Sequence, residues 1–159
     1  MEKLTKEYLG LAGEYAVASE LCKRGYYAQL TLGTRKQTDI LIDAGTKMLR
    51  VQVKAKQDVR WPLIQGVPDK NALLILVDYQ YKQVGQRPDF YVITYKDWQS
   101  FIKHDLAEDV AGGRFRIQDG YLPIFVNSRG EDSWKGIALY PENVDAYKER
   151  WDKLASVLN

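Results

Sequence analysis

Residues 38–56 read TDILIDAGTKMLRVQVKAK and carry the strongest structural signal in the chain. Its two halves, 38–43 and 48–56, alternate between apolar and polar side chains, as half-buried β-strands do. The short connection between the halves contains Gly45 and Thr46, which supply a turn. This pattern predicts a β-hairpin that folds about Gly45 and Thr46.

The predicted hairpin brings three polar side chains together. A fold about Gly45 pairs residue 39 with residue 52, so Asp39 faces Gln52 across the two strands. Strict alternation points Lys54 the same way as Gln52. Aspartate is disfavoured inside a strand, so an interaction that offsets this cost is expected at Asp39. The ordinary alternative is that Asp39 lies near a turn or on an edge strand. A Gln-Val-Lys run by itself is typical of a strand with one solvated face.

The segment before the hairpin predicts an amphipathic helix over residues 5–24, with Thr5 as N-cap and Gly25 as its stop. The expected inward face consists of Leu11, Tyr15, Ala18, Leu21 and Cys22. Glu14 lies beside this apolar face, where a carboxylate is costly without a partner or a metal. The alternative for Glu14 is a residue at the edge of the apolar face that reaches solvent. Glu20 differs, because Arg24 lies one turn on and a surface ion pair accounts for it.

The remaining elements predict a mixed sheet with helices packed on it. Strands are expected at 26–32, 72–78, 90–94 and 121–126, and helices at 96–105 and from Pro141 onward. The nearly all-apolar run at 72–78 is typical of a central strand buried on both faces. The C-terminal helix is expected to bury Val144, Tyr147, Trp151, Leu154 and Leu158. The predicted fold class is therefore α/β, and residues 1–159 are expected to form one domain.

Composition excludes several classes of protein. The chain has 159 residues, of which 45% are apolar and 28% charged, as in a soluble globular protein. No apolar run approaches the roughly 20 residues that a membrane-spanning helix requires, so no membrane partner is expected. One cysteine, Cys22, and one histidine, His104, exclude an internal disulfide and a Cys/His zinc site. A reducing cytoplasm is the expected location, and His104 is expected to be a surface or capping group.

A net charge of +2 indicates that any surface for nucleic acid must be local. The candidate basic clusters are Arg35 with Lys36, then Lys54 with Lys56 and Arg60, then Lys82 with Arg87. Clusters of this size are more often ordinary solvated surface. Among the tryptophans, Trp98 and Trp151 are expected in the core, and Trp61 is the candidate for a contact to DNA.

The combination of Gly13-Glu14, Thr38-Asp39-Ile40 and Val51-Gln52-Val53-Lys54 resembles the PD-(D/E)XK nuclease superfamily, whose fold is restriction-endonuclease-like. It looks most like small bacterial members that carry a Gln-x-Lys variant of the motif. GEYAVASEL at residues 13–21 and PDFYV at residues 88–92 add to this likeness. The resemblance covers roughly the first two-thirds of the chain and is weak beyond His104.

The resemblance implies roles for four residues. Asp39, Gln52 and Glu14 would bind Mg²⁺ or Mn²⁺, and Lys54 would assist the attacking water or the developing charge on the phosphate. Hard oxygen ligands suit these cations. Two departures from the family pattern stand out: Thr38 takes the place of proline, and Gln52 takes the place of an acid.

Two functions follow as alternatives. The first is a metal-dependent phosphodiesterase that hydrolyses DNA, in a family whose members often cut as homodimers. The second is a catalytically inactive nuclease-fold module that binds nucleic acid or a protein partner. Retention of Glu14, Asp39 and Lys54 favours the enzyme, whereas Gln52 favours the binding module.

Overall fold

The computed structural model describes residues 2–31 and 38–158. Helices are α1 (Lys6–Lys23), α2 (Tyr95–His104), α3 (Ala107–Ala111), α4 (Pro141–Val144) and α5 (Lys153–Leu158), with a 3₁₀ turn at Asp145–Tyr147. The first six strands are β1 (Tyr27–Leu30), β2 (Ile40–Asp43), β3 (Met48–Lys56), β4 (Trp61–Ile64), β5 (Ala72–Asp78) and β6 (Asp89–Thr94). Four more follow: β7 (Phe115–Gln118), β8 (Leu122–Val126), β9 (Asp132–Lys135) and β10 (Ile137–Leu139).

A five-stranded sheet in the order β1-β2-β3-β5-β6 forms the centre of the molecule. The β3/β5 pair is parallel and the other pairs are antiparallel, so the sheet is mixed. Helices α1 and α5 pack on one face and α2 packs on the other. The predicted α/β architecture, a mixed sheet flanked by helices, is confirmed.

The hairpin of β2 and β3 has the predicted register. Ile40 pairs with Val51 and Asp43 pairs with Met48, and the Ala44 N–H donates to the Lys47 carbonyl across the turn at 2.9 Å. Gly45 adopts a positive φ of 80°, which favours glycine. The regular strand begins at Ile40, two residues later than predicted.

Strand β5 is buried along its whole length, as its apolar sequence predicts. Leu73, Ile75 and Val77 pack into the core on the α1 side, whereas Leu74 and Leu76 pack into the core on the α2 side. Both faces of the strand are therefore covered, because successive side chains alternate between them.

Helix α1 has the predicted ends but not the predicted inward face. The Thr5 side chain accepts a hydrogen bond from the Tyr8 N–H, and Gly25 has a φ of 84° just beyond the helix. Leu11 and Tyr15 are 46% and 59% exposed, so the prediction that they face inward is wrong. The buried residues are Gly13, Val17, Glu20 and Leu21.

The reason is the close approach of α1 to the sheet at Gly13. A Cβ atom at this position would lie 2.8 Å from the Cβ of Ala55 and 3.5 Å from a methyl group of Val53. Only glycine leaves room for this contact, so the helix turns its smallest residue, and not Leu11, toward β3.

The single C-terminal helix predicted from Pro141 onward is wrong, because the chain leaves the helical path between α4 and α5. Glu149 has a φ of 54°, its N–H donates to the Phe90 carbonyl at 2.8 Å, and its side chain accepts from the Phe90 N–H at 3.2 Å. These bonds pair the segment with the edge strand β6 and exclude a continuous helix. Trp151 and Leu154 still reach the core, as predicted.

The region after His104 is richer in strands than its sequence indicates. β7, β8 and β9 form a small antiparallel sheet, and β10 pairs with β4. Of these, only β8 corresponds to a predicted strand. Among the described residues, no helix has the length and apolar character needed to cross a membrane.

Candidate active site

Asp39 lies at the start of β2 and is nearly buried. Its N–H donates to the Val51 carbonyl at 2.9 Å, and its Oδ2 accepts a hydrogen bond from the Val53 N–H at 2.7 Å. Strand β3 extends past the start of β2. There the Asp39 carboxylate, in place of a backbone carbonyl, accepts the hydrogen bond from the Val53 N–H. The bond also fixes the orientation of the carboxyl group against β3.

Gln52 and Lys54 flank the residue that holds Asp39. Extending the β2/β3 register by one pair places Asp39 opposite Gln52, as predicted. Val53, whose N–H binds the carboxylate, separates Gln52 from Lys54. Gln52 is half-buried and Lys54 is exposed. The structure therefore brings Asp39 next to the backbone that carries both side chains.

Glu14 lies on helix α1, which packs on one face of the sheet near Val53 and Ala55 of β3. The residue before it, Gly13, contacts Val53 and Ala55. Glu14 is half-buried and lines a groove with Lys6, Glu7, Gly10 and Leu11. Gln52 and Thr38 line a different cleft. Convergence of Glu14, Asp39, Gln52 and Lys54 on one pocket stays a prediction.

The donor chemistry of this set suits a hard divalent cation, because two carboxylates and one amide supply only oxygen ligands. Because Gln52 is neutral, the three proposed ligands carry less negative charge than three acids would. Within residues 2–31 and 38–158, no group of three Asp, Glu, His or Cys side chains comes together in a way that could hold a metal ion. Gln52 contributes an amide where the family pattern has an acid, so the predicted set contains two acids, Glu14 and Asp39.

The cleft beside Gln52 has a volume of about 330 Å³ and polar walls. Thr38, Arg50, Gln65 and Tyr121 contribute to its lining. Arg50 is held by an ion pair with Asp69. The cleft is thus furnished with hydrogen-bonding groups next to the proposed ligand Gln52.

Gly66 fixes the far wall of this cleft. Its φ is 94°, and a Cβ atom there would lie 2.1 Å from the ring of Trp98. The segment that carries Gln65 and Gly66 is therefore pressed against α2, and no larger residue fits at position 66.

Two sequence candidates for nucleic-acid contact belong to the core instead. Lys56 is 2% exposed, forms an ion pair with Asp78 at 2.7 Å and lies over the ring of Trp61. Trp61 is fully buried, and its indole N–H donates to the Val77 carbonyl at 3.1 Å. The interpretation of Trp61 as a contact to DNA is wrong, because β4 folds this residue over the sheet.

Other basic candidates are held in ion pairs. Lys82 pairs with Asp89, and Arg87 binds both Glu20 and Glu149. Arg60 and Lys54 are exposed. Arg35 and Lys36 lie outside the described residues. His104 is exposed at the end of α2, as expected.

Glu20 is buried, so the expectation of a surface pair is wrong although the pair with Arg24 is present at 2.7 Å. The hydrogen bond from Arg87, helped by Arg24 and Lys23 and opposed by burial, lowers the pKa of Glu20 to about 2. Burial acts to raise the pKa of Glu149, but hydrogen bonds from Arg87, the Trp151 indole and the Phe90 backbone outweigh it and lower that pKa. This network joins α1 to the C-terminal segment and is structural.

Comparison with known proteins found similarity in solved structures only. One is a bacterial homing endonuclease, I-Ssp6803I, with a TM-score of 0.49 and 15% sequence identity; the match covers 97% of this chain and 94% of that one. Another is Hjc, a Holliday junction resolvase from Archaeoglobus fulgidus, with a TM-score of 0.47 and 11% identity, over 92% of this chain and 95% of that one. No family model and no curated protein matches the sequence.

Three lining residues of the cleft escaped the sequence analysis. Arg50 has the same strand parity as Gln52, and this alternation was the signal available for it. Gln65 and Tyr121 come from distant segments and reach the cleft through the packing around Trp98, whose indole N–H donates to the Tyr121 carbonyl at 2.7 Å. No local pattern marks residues of that kind.

Proposed function

We propose that this chain is a metal-dependent phosphodiesterase that hydrolyses DNA. The observation that supports it best is the 2.7 Å bond from the Val53 N–H to the Asp39 carboxylate, which holds an acid beside Gln52 and Lys54. An acid, a further oxygen ligand and a lysine close together suit metal-assisted hydrolysis of a phosphodiester.

Each residue has a separate task in this proposal. Asp39, Glu14 and Gln52 would hold Mg²⁺ or Mn²⁺, and the ion would supply polarisation of the phosphate and a lowered pKa of bound water. The Val53 N–H keeps the Asp39 carboxyl group oriented before substrate arrives, so little reorganisation is needed during the reaction. The exposed Lys54 would assist the attacking water or the developing charge on the phosphate.

Substitution of Lys54 by alanine tests the proposal. We expect Lys54→Ala to lower the cleavage rate at least ~100-fold, because it removes a charge that acts on the transition state. Its melting temperature should stay close to that of the parent, since the side chain is exposed. Cleavage of plasmid, linear and branched DNA with and without Mg²⁺ measures the effect, and Lys103→Ala, an exposed lysine on α2, is the matched control.

A binding module without catalytic activity is the second candidate. Gln52 favours it, because an amide replaces a carboxylate and leaves two acids in the set. DNA binding that is independent of metal, together with no cleavage of any of the three substrates, would establish this candidate instead.

A further inference from the structure

A second, basic cleft lies at the end of the sheet where β3 and β5 begin. It has a volume of about 630 Å³, and Lys47, Lys70 and Lys96 contribute to its lining. Tyr95, Gln99 and Ser156 add hydrogen-bonding groups to the same walls. No carboxylate is part of this lining.

The lysines that line this basic cleft have no acidic partner among the described residues. In the described ranges, Lys47, Lys70 and Lys96 form no ion pair with a carboxylate. Asp69, next to Lys70, pairs with Arg50, and Asp97, next to Lys96, pairs with Lys153 at 2.7 Å.

Lys47 has one further contact that matters for any test. Its Nζ donates to the Val157 carbonyl at 2.5 Å and so ties α5 to the hairpin. The ammonium groups of Lys70 and Lys96 have no comparable structural task among the described residues. Three uncompensated lysines around one cleft favour a polyanionic ligand.

The basic cleft adjoins the cleft beside Gln52. Pro68 lines the cleft beside Gln52, and Lys70, two residues later, lines the basic cleft. Along the hairpin strand Lys47 precedes Gln52 by five residues, a distance of about 17 Å in extended chain.

We propose that the basic cleft binds the phosphodiester backbone of DNA beside the candidate active site. Lysine serves as a point charge for phosphate, and the Tyr95 hydroxyl is an uncharged donor of the kind that contacts backbone oxygens. The Gln99 amide and the Ser156 hydroxyl already donate to the carbonyls of Gly120 and Lys153, at 3.0 and 2.7 Å. The inference rests on the proposed function for the identity of the ligand as DNA. It concerns binding, and it assigns no part of the reaction to these lysines.

The salt dependence of DNA binding tests the basic cleft. We compare the parent with the double variant Lys70→Gln/Lys96→Gln and leave Lys47 unchanged because it holds Val157. Binding of a fluorescent duplex is measured in EDTA, so that metal-dependent cleavage does not interfere. Loss of two phosphate contacts should reduce the slope of log K against log salt by about 1.8, at about 0.9 per contact. The parent should then lose about tenfold more affinity than the double variant between roughly 50 and 200 mM salt.

The control variant is Lys103→Gln/Lys135→Gln, which removes the same charge from two exposed lysines outside the basic cleft. Its slope should equal that of the parent. An equal loss in both double variants would overturn the proposal, because total charge would then explain the effect. A parental slope in Lys70→Gln/Lys96→Gln would overturn it as well.

Two further arms separate the possible failures. If inorganic pyrophosphate raises the melting temperature of the parent but not of Lys70→Gln/Lys96→Gln, while both bind DNA equally, the cleft takes free phosphates and the DNA proposal fails. If the parent binds DNA through these lysines but cleaves none with Mg²⁺, the basic cleft stands and the proposed nuclease activity fails. If the parent cleaves DNA and the double variant binds it as the parent does, the nuclease stands and the basic cleft fails.

Discussion

Lys54 and Lys56 lie two residues apart on β3 with the same strand parity, yet they have opposite surroundings. Lys54 is exposed, whereas Lys56 is 2% exposed and bonded to Asp78, the Asp58 carbonyl and Gln80. β4 causes the difference, because Trp61 covers the end of β3 and leaves Lys54 open. One lysine is therefore available for chemistry, and the other maintains the core.

Substitution of Lys56 by methionine should destabilise the protein by about 3–5 kcal/mol, because it leaves the nearly buried Asp78 carboxylate without its cation. Urea denaturation measures the free energy of unfolding. Lys54→Met is the matched control and should cost less than about 1 kcal/mol. Similar losses in the free energy of unfolding for both variants would show that the ion pair of Lys56 with Asp78 does not stabilise the fold.

The Glu20 network predicts a specific pH dependence of stability. The pKa of Glu20 in the folded protein is about 2, below the ordinary value of 4.5 for a glutamate, so its contribution to stability is fully present above pH 4.5. It is lost as the pH falls from 4.5 toward 2, and its upper limit is roughly 3 kcal/mol.

Glu20→Gln should therefore be less stable than the parent at pH 7, and its stability should fall less steeply between pH 4.5 and 2. Melting curves across this range measure the difference, with the exposed Glu142→Gln as control. Parallel curves for the parent and Glu20→Gln would contradict the assigned pKa.

At the level of elements, the β2/β3 hairpin could be predicted because its information is local. Alternation sets the faces of the two strands, and Gly45 sets the turn and hence the register. The rotation of α1 could not be predicted in this way. Its inward face depends on the contact of Gly13 with Ala55, 42 positions further along the chain.

The prediction of one continuous C-terminal helix is wrong for a related reason. Its apolar spacing fits a helix, and Trp151 and Leu154 are buried as that spacing predicts. The break comes from bonds of Glu149 to Phe90 and Arg87 on a distant part of the chain. A periodic pattern identifies the buried side chains but carries no information about such a bond.

Two glycines of α1 provide a matched test of its packing. Gly13→Ala places a Cβ 2.8 Å from that of Ala55, so α1 must move away from β3 and take Glu14 with it. We expect a loss of about 1–3 kcal/mol in stability and slower cleavage.

Gly10→Ala is the control, because a Cβ there meets nothing within 4 Å. It should stabilise the helix by up to about 1 kcal/mol, since alanine is the better helix former. Chemical denaturation and cleavage rates of both variants measure these effects. Stabilisation by Gly13→Ala would contradict the close packing described for α1.

For the molecule as a whole, the part of the candidate site on the hairpin follows from sequence, and the cleft around it does not. Asp39, Gln52 and Lys54 share one supersecondary unit, so register alone relates them. Gln65 and Tyr121 meet Gln52 only after α2 and the small sheet have packed. The position of Glu14 relative to β3 likewise depends on how α1 packs against the sheet.

We propose that Asp39 and Gln52 belong to a metal site, and Gln52→Glu tests this proposal through the stability of the whole molecule. A new carboxylate beside Asp39 raises both electrostatic repulsion in the absence of metal and attraction for a divalent cation. Gln65→Glu, which lines the same cleft outside the proposed ligand set, is the control.

The decisive measurement is the melting temperature of the parent, Gln52→Glu and Gln65→Glu in EDTA and in millimolar Mg²⁺ or Mn²⁺. We predict that Gln52→Glu melts below the parent in EDTA and gains more from metal than either other protein, by about 1.4 kcal/mol for each tenfold gain in affinity. Equal metal responses in all three proteins, or none in any of them, would contradict the metal site.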